Sequence, residues 1–353
     1  MTLYIGVDFH PHQQTAAWCD TDTGETEIVT LLHDLEKVKE FYSSFPEPAI
    51  VGTEASSPAQ WFEDMLDSAG HKLLFGDPFK ISRSKQSRHK NDDDDADHML
   101  TLLLRDEFPA IWRRSPEQNR VLDILRLRLS FVGQRTATYN RLQALAHTVG
   151  LPKGKMRTVG YQNRLKDAEL DEAGTLQRSH LFSVLENFNL QIAELEAWLE
   201  KRADSNPQVQ LLMTQQGVGY LTALAVANTL GDVSRFDKVP KQVTKFIGYD
   251  CLERSSAGKR RYGSITKAGS PLVRFLLGQA AQTAIRYDTK LKSFYKRLAK
   301  RKPKKVAKTA TARKLLVKLS IMLRDNISAQ EFDRRGRAVG NARRSAGSEM
   351  AVA

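Results

Sequence analysis

The order of secondary-structure patterns in the first 104 residues constrains the fold of this chain most strongly. Three consecutive segments have strand patterns, the first of which alternates and is rich in residues that favour β-structure. Segments with apolar residues at helical spacing then alternate with two more short strands. The predicted strands are 3–9, 13–20, 25–32, 48–53 and 71–75, and predicted helices follow the third, fourth and fifth strands. The sequence therefore predicts an α/β domain.

The last of these helices begins with five carboxylates within residues 89–98. Asp and Asn favour helix N-termini, and apolar residues follow from Met99, so an acidic cap on a surface helix can explain the segment by itself. A metal site is the alternative, because Asp92 and Asp95 are three residues apart and share one face of a helix. Further carboxylates elsewhere in the chain would favour the metal site.

The predicted order resembles the RNase H fold, which RuvC-type junction resolvases and many transposases share. This resemblance implies that the first and fourth strands are neighbours, so that Asp8 and Glu54 lie side by side. It also implies that the final helix brings Asp92 and Asp95 to them. Taken singly, Asp8 fits a turn and Glu54 fits the approach to a helix. Four converging carboxylates without a lysine partner, however, repel one another unless divalent cations neutralise them.

The ligand types favour particular ions. Hard oxygen ligands, without Cys or clustered His, favour Mg²⁺ or Mn²⁺ over zinc. Two such ions could hold the attacking and leaving oxygens of a phosphodiester.

The overall charge indicates the kind of partner. The net charge of +13 and pI of about 9.6 point to a polyanion, nucleic acid before a membrane surface. Two isolated cysteines, Cys19 and Cys251, do not make a disulfide framework or a zinc site. We find no signal-peptide pattern and no apolar run of about 18 residues, so we expect a cytoplasmic, nucleoid-associated protein.

Two long helical patterns follow the predicted α/β domain. The first begins at Ser115-Pro116 and continues to Gly150, and the second carries apolar residues from Leu181 to Trp198. Residues 152–174 between them are polar and irregular, which is typical of a linker or a loop that contacts nucleic acid. The two helices form either an antiparallel pair or a coiled-coil contact between subunits.

The C-terminal third is strongly basic. Asp288 is the only acidic residue from Arg254 to Arg324, and such a surface binds phosphates in a salt-dependent manner. Gly217-Val218-Gly219 lies between two helical patterns and resembles a helix-hairpin-helix turn, whose free N–H groups can approach a phosphate. Ser255 and Ser256 lie within the basic region, either as loop filler or as residues surrounded by groups that stabilise a phosphoryl transition state.

Several short motifs together resemble the DEDD-type insertion-sequence transposases, the family of bridge-RNA-guided recombinases. The similarity spans roughly residues 3–325. The matching segments are Gly6-Val7-Asp8, Gly52-Thr53-Glu54-Ala55, Lys90-Asn91-Asp92-Asp93-Asp94-Asp95-Ala96, Gly217-Val218-Gly219, Phe246-Ile247-Gly248, Ser255-Ser256-Ala257-Gly258, and Ile265-Thr266-Lys267-Ala268-Gly269 with Arg274.

The resemblance implies a domain order. A RuvC-like (RNase H-fold) domain at 1–112 precedes a helical, coiled-coil span at 113–205. A basic, mainly α-helical transposase domain containing the serine follows at 206–328, and a tail at 329–353 has the composition of a disordered segment.

The resemblance also implies the chemistry and the partners. Asp8, Glu54, Asp92 and Asp95 form the metal-binding tetrad for Mg²⁺ or Mn²⁺, and Ser256 attacks DNA to give a covalent phosphoserine. The partners are double-stranded donor and target DNA, a non-coding bridge RNA and further copies of the chain, as dimers that assemble into tetramers. A composite site, with one subunit's carboxylates and another's serine, is expected by the same analogy.

The sequence departs from the family pattern around the serine. Ala257 replaces a glycine, and Tyr249-Asp250-Cys251 replaces the usual Leu-Thr-Pro. Counting forward from Gly248 places the nucleophile at Ser256, whereas counting back from Lys267 allows Ser255. Two other functions remain as alternatives. One is a metal-dependent, RuvC-like junction nuclease with passive serines, and the other is a nucleic-acid-binding regulator without catalysis.

Overall fold

The computed structural model describes residues 3–45, 48–55, 60–85, 91–253 and 262–336. The chain divides into two compact units, Met1–Pro116 and Glu117–Ala353, each with its own buried core. The first boundary lies four residues beyond the predicted one.

The described residues of the first unit form a five-stranded sheet with helices on both faces. Its strands are β1 Leu3–Phe9, β2 Gln13–Asp20, β3 Thr26–Leu32, β4 Ala49–Glu54 and β5 Lys72–Gly76. Its helices are α1 Leu35–Ser43, α2 Gln60–Ser68, α3 Pro78–Ser84 and α4 Asp92–Leu104. The strands lie in the order β3-β2-β1-β4-β5. The pairs β1–β2 and β2–β3 are antiparallel, and β4 runs parallel to both β1 and β5.

Alternation along β1 assigns its two faces. Leu3, Ile5, Val7 and Phe9 are buried in the core formed with α1 and α2. Tyr4 contacts the separate cluster that includes Ala96 of α4. Because successive side chains of a strand point to opposite faces, the even-numbered residues of β1 face α4. Asp8 is one of these residues.

Helix α4 packs directly on the backbone of β1 at Gly6. A Cβ atom on Gly6 would lie 2.4 Å from both the Ala96 carbonyl oxygen and the Leu100 nitrogen, closer than real contacts allow. Glycine is therefore required here for close approach, because any side chain would push the helix away from the sheet.

The predicted adjacency of the first and fourth strands is confirmed, since β1 and β4 are hydrogen-bonded neighbours. The helix α3 between β5 and α4 was not predicted. Asp77 accepts hydrogen bonds from two backbone nitrogens at its start and Pro78 occupies the first turn, which are regular start signals. Only Ile81 is buried in this helix, so it lacks the apolar repeat that reveals longer helices.

The second unit is mainly helical in its described residues. Its helices are α5 Pro116–Thr148, α6 Val159–Lys166, α7 Glu172–Asp204, α8 Pro207–Met213, α9 Tyr220–Leu230, α10 Val239–Ile247, α11 Pro271–Tyr287, α12 Thr289–Ala299 and α13 Lys304–Asp325, with a 3₁₀ turn at Val233–Arg235. A two-stranded antiparallel hairpin, β6 Cys251–Glu253 and β7 Tyr262–Ile265, precedes α11.

Helices α5 and α7 form an antiparallel pair within the chain. The Arg128 Nε donates to Glu196 Oε1 at 2.8 Å, and further along α5 the Arg135 Nη1 donates to Asn189 Oδ1 at 3.1 Å. As the residue number rises on one helix it falls on the other, which fixes their opposite directions. Of the two predicted arrangements, the structure thus contains the antiparallel pair within one chain.

The segment 152–174 contains the helix α6, which its polar composition did not predict. Tyr161 and Leu165 of α6 are buried against Leu142 and Phe182 of the long helices. These two apolar residues are one helical turn apart, which is too short a repeat to stand out in a polar segment.

The turn between α8 and α9 is fixed by packing. Gly217 has a φ of 88°, and a Cβ there would lie 2.5 Å from the Ala284 nitrogen of α11. Close contact with α11 therefore explains the need for this glycine. Gly219, by contrast, is exposed at the N-terminus of α9 and has open space around its Cα.

The hairpin β6–β7 is attached to the helical core at both ends. Gly248, in the left-handed conformation with a φ of 80°, ends α10 and packs against the backbone of Lys267 to Gly269. The Arg274 Nη1 donates to the carbonyl oxygens of Ile247, at 2.8 Å, and Gly269, at 2.6 Å. This arginine, singled out by the family motif, thus joins the start of α11 to the base of the hairpin.

Residues 329–336, the first part of the tail whose composition predicts disorder, are helical. Ala329 is buried and its nitrogen donates to Thr214 Oγ1 at 3.0 Å, while Asp333 forms ion pairs with Lys290 and Lys318. These contacts compensate for the polar composition of the segment. The remaining residues, 337–353, lie outside the described residues.

Among the described residues, the helices are each too short or too polar to cross a membrane.

The Gly6 contact gives a testable prediction. Gly6→Ala should lower the free energy of unfolding by about 3 kcal/mol, the upper end of ordinary overpacking, because the obstacle is helix backbone. Urea denaturation followed by circular dichroism measures this loss. Gly133→Ala in α5, where the added Cβ meets nothing within 4 Å, is the matched control and should be neutral or stabilising by about 0.5–1 kcal/mol. Equal stabilities for the two variants would contradict the close packing of α4.

Candidate active site and its carboxylates

Parallel pairing places two of the predicted carboxylates at one edge of the sheet. Val7 pairs with Thr53 in the β1–β4 ladder, so Asp8 and Glu54 occupy the next position of the two strands. A Cβ on Gly52 would meet Leu103 of α4, and Glu54, two residues later, has the same orientation. Both carboxylates therefore lie on the α4 side of the sheet.

Asp92 reaches Asp8 from the first turn of α4. Asn91 is the N-cap residue, and Asp92 to Asp95 form the acidic first turn. The positive end of the helix dipole stabilises carboxylates at this position. Since Asp92 precedes Ala96 by one turn, the contact between α4 and Gly6 carries it to the end of β1 at which Asp8 lies.

A histidine completes a compact group with these two aspartates. The His10 Nε2 lies 3.1 Å from Asp8 Oδ2 and 3.5 Å from Asp92 Oδ1. Ligand atoms of Asp8, His10 and Asp92 all lie within 4.8 Å of one another, the separation at which one ion can contact all three. Gln13 contributes a weaker contact, from its Nε2 to Asp92 Oδ2 at 3.4 Å.

His10 was missed by the sequence analysis, although a signal existed. Residues two apart in an extended chain point to the same side, so His10 follows Asp8 on the face that meets α4. The side chain of His10 is 43% exposed, which leaves it accessible, whereas that of Asp8 is 16% exposed.

The other two predicted ligands have different surroundings. Asp95 lies one turn beyond Asp92, and its carboxylate forms an ion pair with Lys85. Glu54 lies near enough for its charge to act on Asp8. Neither residue belongs to the compact three-residue group found among the described residues. The structure thus brings Asp8 and Asp92 together, with Glu54 beside them and Asp95 held by a lysine.

Burial and neighbouring charge act on Asp8. Burial raises the pKa of Asp8 above its ordinary value, and the negative charges of Asp92 and Glu54 act in the same direction. The nearby His10 lowers this pKa but does not cancel the other effects. An anionic group that is destabilised in this manner gains from a bound cation.

The residues present fit a divalent cation. Asp8 and Asp92 offer the carboxylate oxygens that Mg²⁺ and Mn²⁺ prefer, and His10 adds an imidazole nitrogen, which Mn²⁺ accepts more readily than Mg²⁺. The raised pKa of Asp8 agrees with the same assignment, because burial, its largest cause, destabilises an ionised carboxylate that a bound cation would neutralise.

The predicted nucleophiles lie outside the described residues. Ser255 and Ser256 belong to the segment 254–261, which connects Glu253 of β6 to Tyr262 of β7. The nearby Tyr249 is unsuited to nucleophilic attack, because it is buried and its hydroxyl donates to the Arg274 carbonyl oxygen at 3.1 Å. Burial raises the pKa of Tyr249 to about 12.

Comparison with known proteins gives a family match within the second unit. Residues 209–296 match the sequence family described as "Transposase IS116/IS110/IS902 family". The chain is 27% identical over 258 residues to a protein of Pseudomonas aeruginosa named "Probable family 20 transposase", covering 71% of this chain and 75% of that protein. The chain is an insertion-sequence transposase. Its matched segment begins in α8 and ends in α12, so it includes the hairpin β6–β7 and the serines.

Two further relatives carry the same type of name. The transposase is 29% identical over 204 residues to the "Transposase for insertion sequence element IS1111A" of Coxiella burnetii, covering 56% of each chain. It is 25% identical over 290 residues to the "Transposase for insertion sequence element IS1328" of Yersinia enterocolitica, covering 79% of this chain and 82% of that protein. The predicted transposase function is thus confirmed, and the chemistry at its sites stays a prediction.

The surroundings of Asp8 predict opposite effects of one substitution on stability and on metal binding. An acid with a raised pKa binds its proton more tightly in the folded state, so ionised Asp8 destabilises the metal-free protein above that pKa. In EDTA, Asp8→Asn should therefore raise the melting temperature at pH 7.5, and this gain should shrink as the pH falls through the raised pKa of Asp8. Differential scanning fluorimetry across pH measures both changes.

Mn²⁺ should reverse the order of the melting temperatures of the wild type and Asp8→Asn. MnCl₂ should raise the melting temperature of the wild type and leave Asp8→Asn little changed, because a bound ion stabilises only the state that holds it. Asp93→Asn is the matched control, since Asp93 is an exposed aspartate of the same helical turn. A wild type that does not respond to Mn²⁺, or an Asp93→Asn variant that also loses the response, would contradict the assignment.

Proposed function

We propose that this transposase cleaves and rejoins DNA through a phosphoserine intermediate at Ser256, with divalent cations bound by carboxylates of an RNase H-like, RuvC-type domain. The observation that carries the proposal is the approach of Asp92 to Asp8 across α4 and β1, in a chain that also matches the transposase family. The strand order β3-β2-β1-β4-β5, with β4 parallel to β1, supports the fold assignment.

The carboxylates have the first role in this mechanism. Asp8, Glu54, Asp92 and Asp95 would hold Mg²⁺ or Mn²⁺, with His10 as an additional ligand. A bound divalent ion supplies Lewis-acid stabilisation of the charge that develops on the phosphate oxygens. The protein's own contribution is to place carboxylates from two strands and one helix on the same side of the sheet, before any substrate arrives.

The serine has the second role. Ser256 Oγ attacks phosphorus, so that an Oγ–P bond forms as the bond from phosphorus to one deoxyribose oxygen breaks, and that oxygen leaves with a proton. The phosphoserine keeps the phosphoester bond, and a deoxyribose hydroxyl can reverse the step and join new ends. Ser255 is the rival nucleophile.

The charge distribution of the described C-terminal helices supports phosphate binding near the hairpin. Asp288, the one acidic residue between Arg254 and Arg324, is buried, 3.6 Å from the Lys318 Nζ. Burial acts to raise the pKa of Asp288, but hydrogen bonds from the Leu291 nitrogen and the Gln215 side chain, with the charge of Lys318, lower it. Asp288 thus stays ionised and internally paired, so its charge does not neutralise the exposed cations of α11 to α13. Some of these cations have other partners, since Lys290 pairs with Asp333 and Arg313 pairs with Asp250.

The proposed partners follow from this surface and from the resemblance. Double-stranded donor and target DNA are the substrates, a non-coding bridge RNA selects them, and copies of the chain assemble as dimers and tetramers. A net charge of +13 suits a protein that binds two nucleic acids at once.

A metal-only junction nuclease is the second candidate. The Asp8, His10 and Asp92 group favours it, because this group could cleave a phosphodiester without any serine. It would give free DNA ends, in contrast to a covalent adduct. A regulator without catalysis would retain binding and be insensitive to every carboxylate and serine substitution.

The covalent intermediate separates these functions. Incubation of the wild type with its RNA and labelled insertion-sequence ends should give a protein–DNA adduct on denaturing gels. Ser256→Ala should reduce the adduct to background, while Ser264→Ala, an exposed serine of β7 in the same basic region, should retain it. Asp8→Asn should slow cleavage by about 100-fold or more, the effect of losing one electrostatic stabiliser of a transition state.

Other patterns in this experiment have defined meanings. An adduct that persists in Ser256→Ala and disappears in Ser255→Ala moves the nucleophile by one residue. Free ends in both serine variants, lost only in Asp8→Asn, would establish the metal-only nuclease and overturn the phosphoserine mechanism.

The RNA partner has its own test. Purification of the transposase from cells that carry its complete insertion sequence should recover one non-coding RNA encoded beside the gene. Sequencing of the RNA that co-purifies measures this enrichment. Recovery of only random cellular RNA would argue against RNA guidance while leaving DNA cleavage possible.

A further inference from the structure

The two aspartates of the α4 first turn have different partners. Asp92 faces His10 and Gln13 and belongs to the compact ligand group. Asp95, three residues later on the same helix face, is paired with Lys85. The metal-binding tetrad that includes Asp95 is therefore incomplete in this arrangement, because the Asp95 carboxylate is paired with the ammonium group of Lys85.

The pair between Lys85 and Asp95 is sheltered from solvent. The side chains are 18% and 23% exposed, respectively, so that salt screens this pair less than it screens pairs on the surface. Helix α3 ends beside α4, where the Ser84 Oγ lies 2.9 Å from the His98 Nε2. His98 lies one helical turn after Asp95, and Lys85 directly follows Ser84 in the chain. The contact between Ser84 and His98 therefore places Lys85 beside Asp95.

We propose that Lys85 keeps Asp95 out of the metal site in the DNA-free transposase and that a DNA phosphate displaces it. This inference rests on the proposed metal-dependent function. The Lys85 ammonium compensates the charge of Asp95 until the phosphate takes over the lysine, and a divalent cation then replaces the ammonium at the carboxylate. Charge is balanced in both states, so the exchange leaves no uncompensated carboxylate in a partly buried position.

Two occupancies follow from this arrangement. Without DNA, the group of Asp8, His10 and Asp92 takes one divalent ion. With DNA, Asp95 becomes available and a second ion binds beside the first. The transposase would then hold its full set of metal ions only when a phosphodiester is present.

The test counts Mn²⁺ ions per chain by isothermal titration calorimetry of the full-length protein with MnCl₂. DNA-free wild type should bind one ion, and Lys85→Met should bind two. Lys80→Met is the matched control, because Lys80 is an exposed lysine of α3, the helix that Lys85 follows, and this variant should bind one. Lys85→Met combined with Asp95→Asn should return to one ion. Lys85→Gln, whose side chain is polar, serves as a second variant if Lys85→Met folds poorly.

Addition of a mixed-sequence DNA duplex at low salt should raise the wild type to two ions and leave Lys85→Met at two. Two ions on DNA-free wild type, or a single ion on both folded Lys85 variants, would overturn the inference. A single ion in these variants together with a normal Ser256 adduct leaves the proposed function intact. Failure of every protein to bind Mn²⁺, with or without DNA, contradicts this inference and the proposed metal-dependent function together.

Discussion

The direct contact between α4 and the backbone of β1 is the constraint on which the carboxylate site depends. Asp8 is at the end of a central strand and Asp92 is at the start of a helix 84 residues farther along the chain. They meet because Gly6 lets the helix lie against the strand without an intervening side chain. The apolar residues on both faces of the sheet supply the free energy that holds negative charges together.

The arrangement of carboxylates that favours metal binding lowers the stability of the metal-free protein. Burial raises the pKa of Asp8 and the charges of Asp92 and Glu54 add to this effect, so the ionised carboxylate is destabilised in the metal-free protein. His10 and the N-terminus of α4 offset part of the repulsion, and Lys85 compensates Asp95. Strain of this kind is common where proteins bind ions, because groups arranged for a ligand are unfavourable without it.

The fold of the first unit could be predicted because its determinants are local. Alternation in β1 and the helical repeats behind it specify which residues are buried, and the strand ends then locate Asp8 and Glu54. The partners of Asp95 could not be predicted in this way. Lys85 follows a short helix with one buried apolar residue, and its position depends on where α3 packs rather than on any repeat.

In the second unit, too, some features could be predicted from the sequence and others could not. Sequence periodicity predicts the long helices α5 and α7 but leaves open whether they pair within one chain or between two. The ion pair from Arg128 to Glu196, between residues 68 apart, shows the intramolecular contact. The choice between Ser255 and Ser256 stays a prediction, because it depends on a motif in which the neighbouring residues differ from the family.

The short hairpin β6–β7 has a consequence for the path of the substrate. Its ends are anchored through Gly248 and Arg274, and Ser256 is the third residue after Glu253. Three residues span at most about 11 Å even when fully extended. In the proposed mechanism, the phosphate that Ser256 attacks must therefore lie close to the end of β6, so the DNA has to approach the anchored base of the hairpin.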